Sequence, residues 1–174
     1  WVDAHRFTAL VHRAGLAEAE RRPAEAVTLL RAALALWRGP ALDGLTSRVV
    51  RAGAVRLDEE RVAAMERCFD HELGLGRHAH IIPELMSCTE SYLFREKLHC
   101  QLVLALYRSG RQVDALAACK ALEERFSREL GIDPSPSLRT LHTMVLKHHP
   151  SLNSRAITPA APRQLISGGR VRGG

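Results

Sequence analysis

The chain has 174 residues, of which 46% are hydrophobic and 25% are charged. This content is enough for one buried core, or for the continuous core of a short helical repeat, and too small for two independent domains. Arg31 interrupts the most apolar stretch, so no run reaches the roughly 18 residues that a membrane span needs. Because the chain opens on Trp1 and has no signal-peptide pattern, we expect it to be part of a longer protein.

The formal net charge of +6 favours a nucleic-acid partner only if the charge lies on a folded surface. Residues 1–133 contain 19 Lys and Arg and 19 Asp and Glu, so that part is neutral. The remaining 25 − 19 = 6 basic residues follow residue 133, where there is no acid: Arg139, Lys147, Arg155, Arg163, Arg170 and Arg172. We therefore expect no specific nucleic-acid binding by the helices.

Two helices are predicted before residue 38. Asp3 is a suitable N-cap for the first, which should run to about Arg21. Pro23 suits the first turn of the second, which Gly39-Pro40 should end. Apolar residues recur at helical spacing in both: Phe7, Leu10, Val11 and Ala14, then Ala26, Val27, Leu30, Ala33, Leu34 and Trp37.

Residues 38–56 contain Gly39, Pro40, Gly44 and Gly53 and are predicted to be irregular. Five helices should follow: a third from about Leu57, a fourth from about His78 with Pro83 early in it, a fifth over about 95–109, a sixth over about 112–130 and a seventh from Pro136. Gly131 is placed to end the sixth in a left-handed conformation. The sixth should bury Val113, Leu116, Cys119, Leu122 and Phe126, and the seventh Leu138, Leu141, Val145 and His148.

The pair Gly76-Arg77 recurs as Gly110-Arg111, and 110 − 76 = 34 residues is the length of a tetratricopeptide repeat. Apolar positions repeat with it, such as Phe69 with Val103 and Ile81 with Ala115. If Ala26 is the equivalent of Ile81, the offset is 55, so about 21 residues are inserted between the first two helix pairs. The prediction is an all-α, tetratricopeptide-like helical repeat array of about seven helices, in one domain over residues 2–150.

Residues 151–174 are rich in Ser, Pro, Gly and Arg and are predicted to be a basic linker or disordered tail. The cysteines at 68, 88, 100 and 119 lack C-x-x-C spacing and fall at apolar helix positions. They are expected to be buried thiols in a reducing cytoplasm, where we place the protein.

Most candidate reactive residues have a simpler structural explanation. Metal binding is the sharpest alternative, because Cys68 and His71 share a helix face and His78 and His80 follow, but no ligand signature is present. A polar helix end accounts for Lys147, His148 and His149, and a helix start accounts for Glu59-Glu60. Trp1 and Trp37 are candidates for ligand stacking, but Trp37 is more simply a core residue. Gly74-x-Gly76 lacks the preceding strand and the lysine of a phosphate loop. We predict no catalytic, cofactor-binding or metal-binding residues, no cofactor and no enzyme activity, and unchanged stability in a chelator.

Several blocks together resemble the bacterial transcriptional activator domain, the helical effector part of the Streptomyces antibiotic regulatory protein family. The resemblance covers about residues 2–150, and it is carried by Leu34–Leu42, Leu75–His78, Ala105–Gln112 and Glu129–Pro136. The sequence departs from the family's usual pattern at Ser91–Phe94 and at Cys119.

The resemblance implies a regulatory, oligomerisation and protein-interaction domain of a transcriptional activator, whose winged-helix DNA-binding domain lies upstream. Expected partners are that domain, the transcription machinery and a second copy of the chain; no membrane partner is expected. Pro162–Leu165 resembles the linker that leads to an ATPase module in larger members, without a phosphate loop after it. The alternative is a free-standing adaptor that binds a peptide or partner helix, because a repeat fold does not choose its partner.

Overall fold

The computed structural model describes residues 3–37 and 48–154. In this part of the chain there are α-helices and two short helical turns, and no strand. The helices are α1 (Ala4–Ala19), α2 (Pro23–Leu34), α3 (Arg48–Gly74), α4 (His78–Ser91), α5 (Glu96–Arg108), α6 (Gln112–Arg125) and α7 (Pro136–Leu146); a π-helix (Phe126–Leu130) extends α6, and a 3-10 helix (Pro150–Asn153) follows α7. The predicted all-α repeat fold is confirmed.

Helices α1 to α6 form three antiparallel pairs, each closed by the same turn. One residue takes a left-handed conformation, and the amide of the next residue donates to a carbonyl five residues back. The left-handed residues are Arg21, Gly76 and Gly110, and His148 takes the same conformation after α7. The closing bonds are Arg22 N to Ala17 O at 2.8 Å and, each at 2.9 Å, Arg77 N to Glu72 O, Arg111 N to Leu106 O and His149 N to Met144 O.

The predicted repeat register agrees with the burial of the side chains. Ala26, Ile81 and Ala115, at offsets of 81 − 26 = 55 and 115 − 81 = 34, are all fully buried. The helix starts agree as well: Asp3 accepts the Arg6 amide at 3.0 Å, and Ser135 accepts the Leu138 amide at 3.3 Å. These caps satisfy amides that a helix N-terminus leaves without a partner.

The core has two connected parts. The first joins α1 and α2 to Ala64 and Cys68 of α3, and it includes an edge-on contact between the rings of Phe7 and Trp37 at 5.5 Å. The second runs from α3 to the 3-10 helix and ends on Leu152. Leu34 packs against both parts, so the array has one continuous interior.

Two predictions about helix bounds need correction, and one is met. Helix α3 begins at Arg48, nine residues before Leu57 (57 − 48), so residues 48–56 are helical and Gly53 does not break the helix; residues 38–47 lie outside the described part. Helix α2 ends at Leu34, before the predicted Gly39-Pro40 stop, which is itself outside the described residues. The π-helix Phe126–Leu130 ends on Gly131 at φ +66°, as expected for a left-handed stop.

Two side chains predicted to be inward are exposed. Val113 is 80% exposed; it lies in the first turn of α6, two residues before the buried Ala115 and therefore on another face of the helix. His148 is exposed and occupies the left-handed turn position after α7. The core is instead completed by Leu152, which lies beyond the predicted domain end at residue 150 and is fully buried.

Candidate protein-interaction surface

Four large apolar side chains are exposed where α4 meets α5 and where the π-helix ends. Leu93 and Phe94 lie in the turn before α5, and Leu130 and Ile132 lie on either side of Gly131; their exposed fractions are 37%, 43%, 46% and 52%. The Phe94 ring packs edge-on against Phe126 at 5.9 Å between centroids, which joins the two segments. We call the four exposed residues the Phe94 surface.

Local hydrogen bonds hold the Phe94 surface in place. The Arg95 amide donates to the Tyr92 carbonyl at 3.0 Å and closes the turn. His99 Nε2 donates to the Leu93 carbonyl at 3.0 Å, and burial lowers the pKa of this histidine. These hydrogen bonds fix the backbone conformation of the turn that carries the exposed Leu93 and Phe94.

The segment that carries Ile132 is tied to the start of α5. The Ser135 amide donates to Glu96 Oε1 at 2.8 Å, and the Ile132 amide donates to the Phe126 carbonyl at 3.4 Å. Both bonds bring the chain after the π-helix toward Phe94. Sequence reasoning noted the departure at Ser91–Phe94 but not this surface; the available signal was an apolar pair standing in a turn between two amphipathic helices.

Charged side chains lie beside the Phe94 surface. Glu129 is 3.9 Å from Arg125 and 3.1 Å from Arg128, whose side chain is 71% exposed. Exposed ion pairs of this kind add little stability. An apolar centre with a charged margin is the usual composition of a protein-binding patch.

The residues considered for metal binding are placed in structural roles. Cys68 is fully buried in the core, and His71 Nε2 lies 2.8 Å from Glu18 Oε1 across the α1–α3 contact. His78 and His80 are in the first turn of α4. Within residues 3–37 and 48–154, no three His, Cys, Asp or Glu side chains are grouped so that they could hold a metal ion.

The thiols are in surroundings that oppose ionisation. Burial raises the pKa of Cys68 to about 11 and that of Cys100 and Cys119 to about 12, and it also raises the pKa of Cys88. The thiolate is the nucleophilic form of cysteine, so these groups are poorly suited to covalent catalysis. Cys119, at a departure from the family pattern, is fully buried between helices.

The other candidates also have structural partners. Trp37 is buried, with the Arg61 guanidinium 4.8 Å from the centre of its ring. Glu59 pairs with Arg95 at 2.9 Å, and this pair links α3 to the start of α5. Gly74 ends α3 and Gly76 lies in the turn that joins α3 to α4, so neither belongs to a strand-to-helix loop; Trp1 lies outside the described residues.

A shallow depression of about 320 Å³ lies on the outer face of α7. It is lined by Pro136, Arg139, Thr140, Thr143 and Met144. One arginine with two threonine hydroxyls does not supply the nucleophile, base and orienting group that group-transfer chemistry needs. The Phe94 surface is therefore the better candidate for function, and it indicates binding.

No helix in the part of the chain that the structure describes combines the length and the hydrophobicity needed to cross a bilayer.

Comparison with known proteins places these features in a family. The family model described as "Bacterial transcriptional activator domain" matches residues 2–146. The regulatory protein AfsR of Streptomyces coelicolor is 41% identical over 124 residues, covering 71% of this chain and 12% of AfsR. The transcriptional regulatory protein EmbR of Mycobacterium tuberculosis is 38% identical over 149 residues, covering 85% of this chain and 38% of EmbR.

The similarity extends to three-dimensional structure. The solved structure described as "Mycobacterium tuberculosis EmbR in complex with low affinity phosphopeptide" matches with a TM-score of 0.81 and 37% identity, over 87% of this chain and 41% of that one. The transcriptional regulator RedD of Streptomyces coelicolor is 38% identical over 152 residues, covering 87% of this chain and 43% of RedD. The chain spans less than half the length of each of these relatives.

Proposed function

Because this chain belongs to the bacterial transcriptional activator domain family, we propose that it regulates transcription by binding protein partners and by self-association. The proposal includes a winged-helix DNA-binding domain upstream in the parent protein and a cytoplasmic site of action. The observation that carries it is the family match over residues 2–146, in a chain that spans only part of the regulators it resembles. The domain then contributes recognition, without catalysis or a cofactor.

The surface chemistry supports protein partners over DNA. The Phe94 surface offers fixed apolar side chains of the kind that proteins recognise, whereas the excess basic charge lies after residue 133. The solved EmbR structure is a complex with a phosphopeptide, and this chain matches 41% of the EmbR chain in it. It supports peptide recognition in the parent class without assigning the phosphopeptide to this domain.

A reporter assay tests the proposal. The chain is fused after a heterologous, transcriptionally silent DNA-binding domain, and reporter transcription is measured in a Streptomyces host. We expect activation that falls at least about tenfold with Phe94→Asp, because a charge at the centre of an apolar contact leaves an unpaired buried group. Val113→Asp is the matched control, since Val113 is 80% exposed and lies outside the Phe94 surface.

Self-association is measured separately, by sedimentation equilibrium of the purified chain. Oligomers that persist in Phe94→Asp would place self-association on another face. A fusion that binds its operator and leaves transcription unchanged, together with a monomeric chain at high concentration, would contradict the proposed function.

A further inference from the structure

The segment after α7 folds back onto the helix array. His148 turns the chain with a left-handed backbone, φ +49°, and Pro150–Asn153 then forms a single 3-10 turn. Leu152 in this turn is fully buried and belongs to the main core cluster. We call Pro150–Ser154 the strap.

Arg108, at the end of α5, binds the strap through its backbone. Its Nε donates to the Leu152 carbonyl at 2.6 Å, and Nη2 donates to the Ser154 carbonyl at 2.6 Å. Nη1 donates to the carbonyl of Leu73 near the end of α3 at 3.0 Å. One guanidinium therefore links α3, α5 and the strap, and its five donors in a rigid fork are suited to several acceptors at once.

The acceptors of Arg108 are peptide carbonyls, and no carboxylate in the described part of the chain forms an ion pair with it. Burial is the cause that lowers the pKa of this guanidinium. A partly buried cation held only by carbonyl dipoles depends on all of them being in place. The arrangement is thus specific for a backbone that reaches the groove between α3 and α5.

The repeat register indicates that Arg108 serves to bind the strap and is not a residue that every helix pair requires. The equivalent positions in the first two helix pairs are Ala19 and Gly74, at offsets of 74 − 19 = 55 and 108 − 74 = 34. Neither can make these bonds. The strap itself follows α7 where a second helix would complete a fourth pair, and the family match ends at residue 146, before it begins.

We propose that the groove between α5 and the end of α3 is a binding site for a short leucine-bearing segment, occupied here by this chain's own strap. Leu152 fills the apolar socket, and Arg108 binds the carbonyls of Leu152 and Ser154. The strap also forms local single-turn bonds, such as Leu152 N to His149 O at 3.0 Å and Ser154 N to Ser151 O at 3.1 Å. These local bonds let it detach as a unit while α1–α7 remain folded. Docking fixes the point from which the chain continues after Ser154.

Hydrogen exchange of the full chain tests whether the strap opens on its own. We expect Leu152→Ala and Arg108→Gln each to speed exchange of the Leu152 and Ser154 amides by about tenfold or more, with α2 amides unchanged. Arg108→Lys should behave like Arg108→Gln, because lysine keeps the charge and loses the fork. Leu146→Ala is the matched control, since Leu146 is 55% exposed at the end of α7. Strap amides that exchange only with the slowest core amides would overturn the proposal.

Binding in trans tests whether the groove is a site. A fluorescent peptide of residues 147–154 is titrated into the full-length Leu152→Ser chain, whose own strap is weakened. Saturable binding is expected, at least about tenfold weaker to the unmodified chain because its groove is occupied, and lost when Arg108→Gln is added. If Leu152→Ser fails to fold by circular dichroism, Leu152→Ala replaces it. Absence of binding, or equal binding to all three chains, would show that the strap is a fixed part of the core.

Discussion

The left-handed residue that closes each helix pair is the smallest repeated feature of this molecule. Gly76 and Gly110 take φ +78° and +76°, a conformation that costs a residue with a Cβ about 1 kcal/mol or more. A Cβ built at Gly110 meets nothing within 4 Å. The glycine is therefore favoured by the backbone conformation and not by packing, although Arg21 and His148 show that other residues can take it.

We predict that Gly110→Ala lowers the free energy of unfolding by about 1 kcal/mol. Gly53→Ala is the matched control: Gly53 lies inside α3, and its Cβ would also meet nothing within 4 Å. That change should stabilise the protein by up to about 1 kcal/mol, because alanine is the better helix former. Urea denaturation followed by circular dichroism measures both. Shifts of equal sign would argue against the left-handed turn at Gly110.

A second prediction concerns Ala115, which is fully buried on α6 at the repeat position shared with Ala26 and Ile81. Ala115→Trp should lower the free energy of unfolding by about 1–3 kcal/mol or more, because added volume in a packed contact forces neighbours apart. Ala117→Trp on the exposed side of the same helix is the control. An unchanged melting temperature for Ala115→Trp would show that helices do not meet closely there.

Residue burial was predictable where the repeat register decides it, and not at helix ends. Ala115 is buried as the register requires, while Val113, two residues earlier, is 80% exposed. Apolar identity alone does not place a first-turn residue, because there is no preceding helical turn to supply neighbours. Leu152 escaped prediction for the opposite reason: its surroundings of Pro, Ser and Asn are typical of a linker, and its burial depends on core residues that are distant in sequence.

At the scale of elements, α3 is the helix that connects the array. It packs against α2, α4 and α5, and its 27 residues extend well before the predicted start. The early start was not predictable from Gly53, because glycine weakens a helix without ending it. The ion pairs between α3 and neighbouring helices join residues that are far apart in sequence. The periodicity of apolar residues does not predict such pairs.

Arg31 illustrates such a connection, since it joins three helices. Its guanidinium pairs with Glu84 of α4 and, at 3.5 Å, with Glu72 of α3, a carboxylate whose side chain is only 5% exposed. Arg31→Ala should lower the free energy of unfolding by about 1–3 kcal/mol, because it leaves buried Glu72 with Arg77 as its remaining cation. Arg22→Ala, which removes two exposed surface pairs, is the control and should leave the melting temperature nearly unchanged. Equal effects of the two would mean that burial of Glu72 does not matter.

At the scale of the whole molecule, α7 ends the array with a polar outer face. Its exposed side includes Arg139, Thr140 and Thr143, which suits a terminal helix that packs on one side only. After it the chain carries basic residues and no acid. This distribution separates a neutral helical body from a positive end.

The last prediction follows from this separation. DNA affinity of the chain should be weak, independent of sequence and steeply dependent on salt, because it rests on phosphate contacts of the basic end. Truncation after Ser154 removes Arg155, Arg163, Arg170 and Arg172, and it keeps the buried Leu152, which a cut after Pro150 would remove. Fluorescence anisotropy with two unrelated duplexes at about 50 and 200 mM salt should show most binding lost.

The melting temperature is the internal control for that experiment, and it should stay almost unchanged because the cut lies beyond the described fold. Reading bases requires a rigid element placed in a groove. The basic residues at 163, 170 and 172 stand in a Gly-rich stretch whose composition does not favour such an element. Sequence-specific binding that survived the truncation would place a DNA-reading surface on the helices themselves, and the division between a protein-binding body and a basic end would then be wrong.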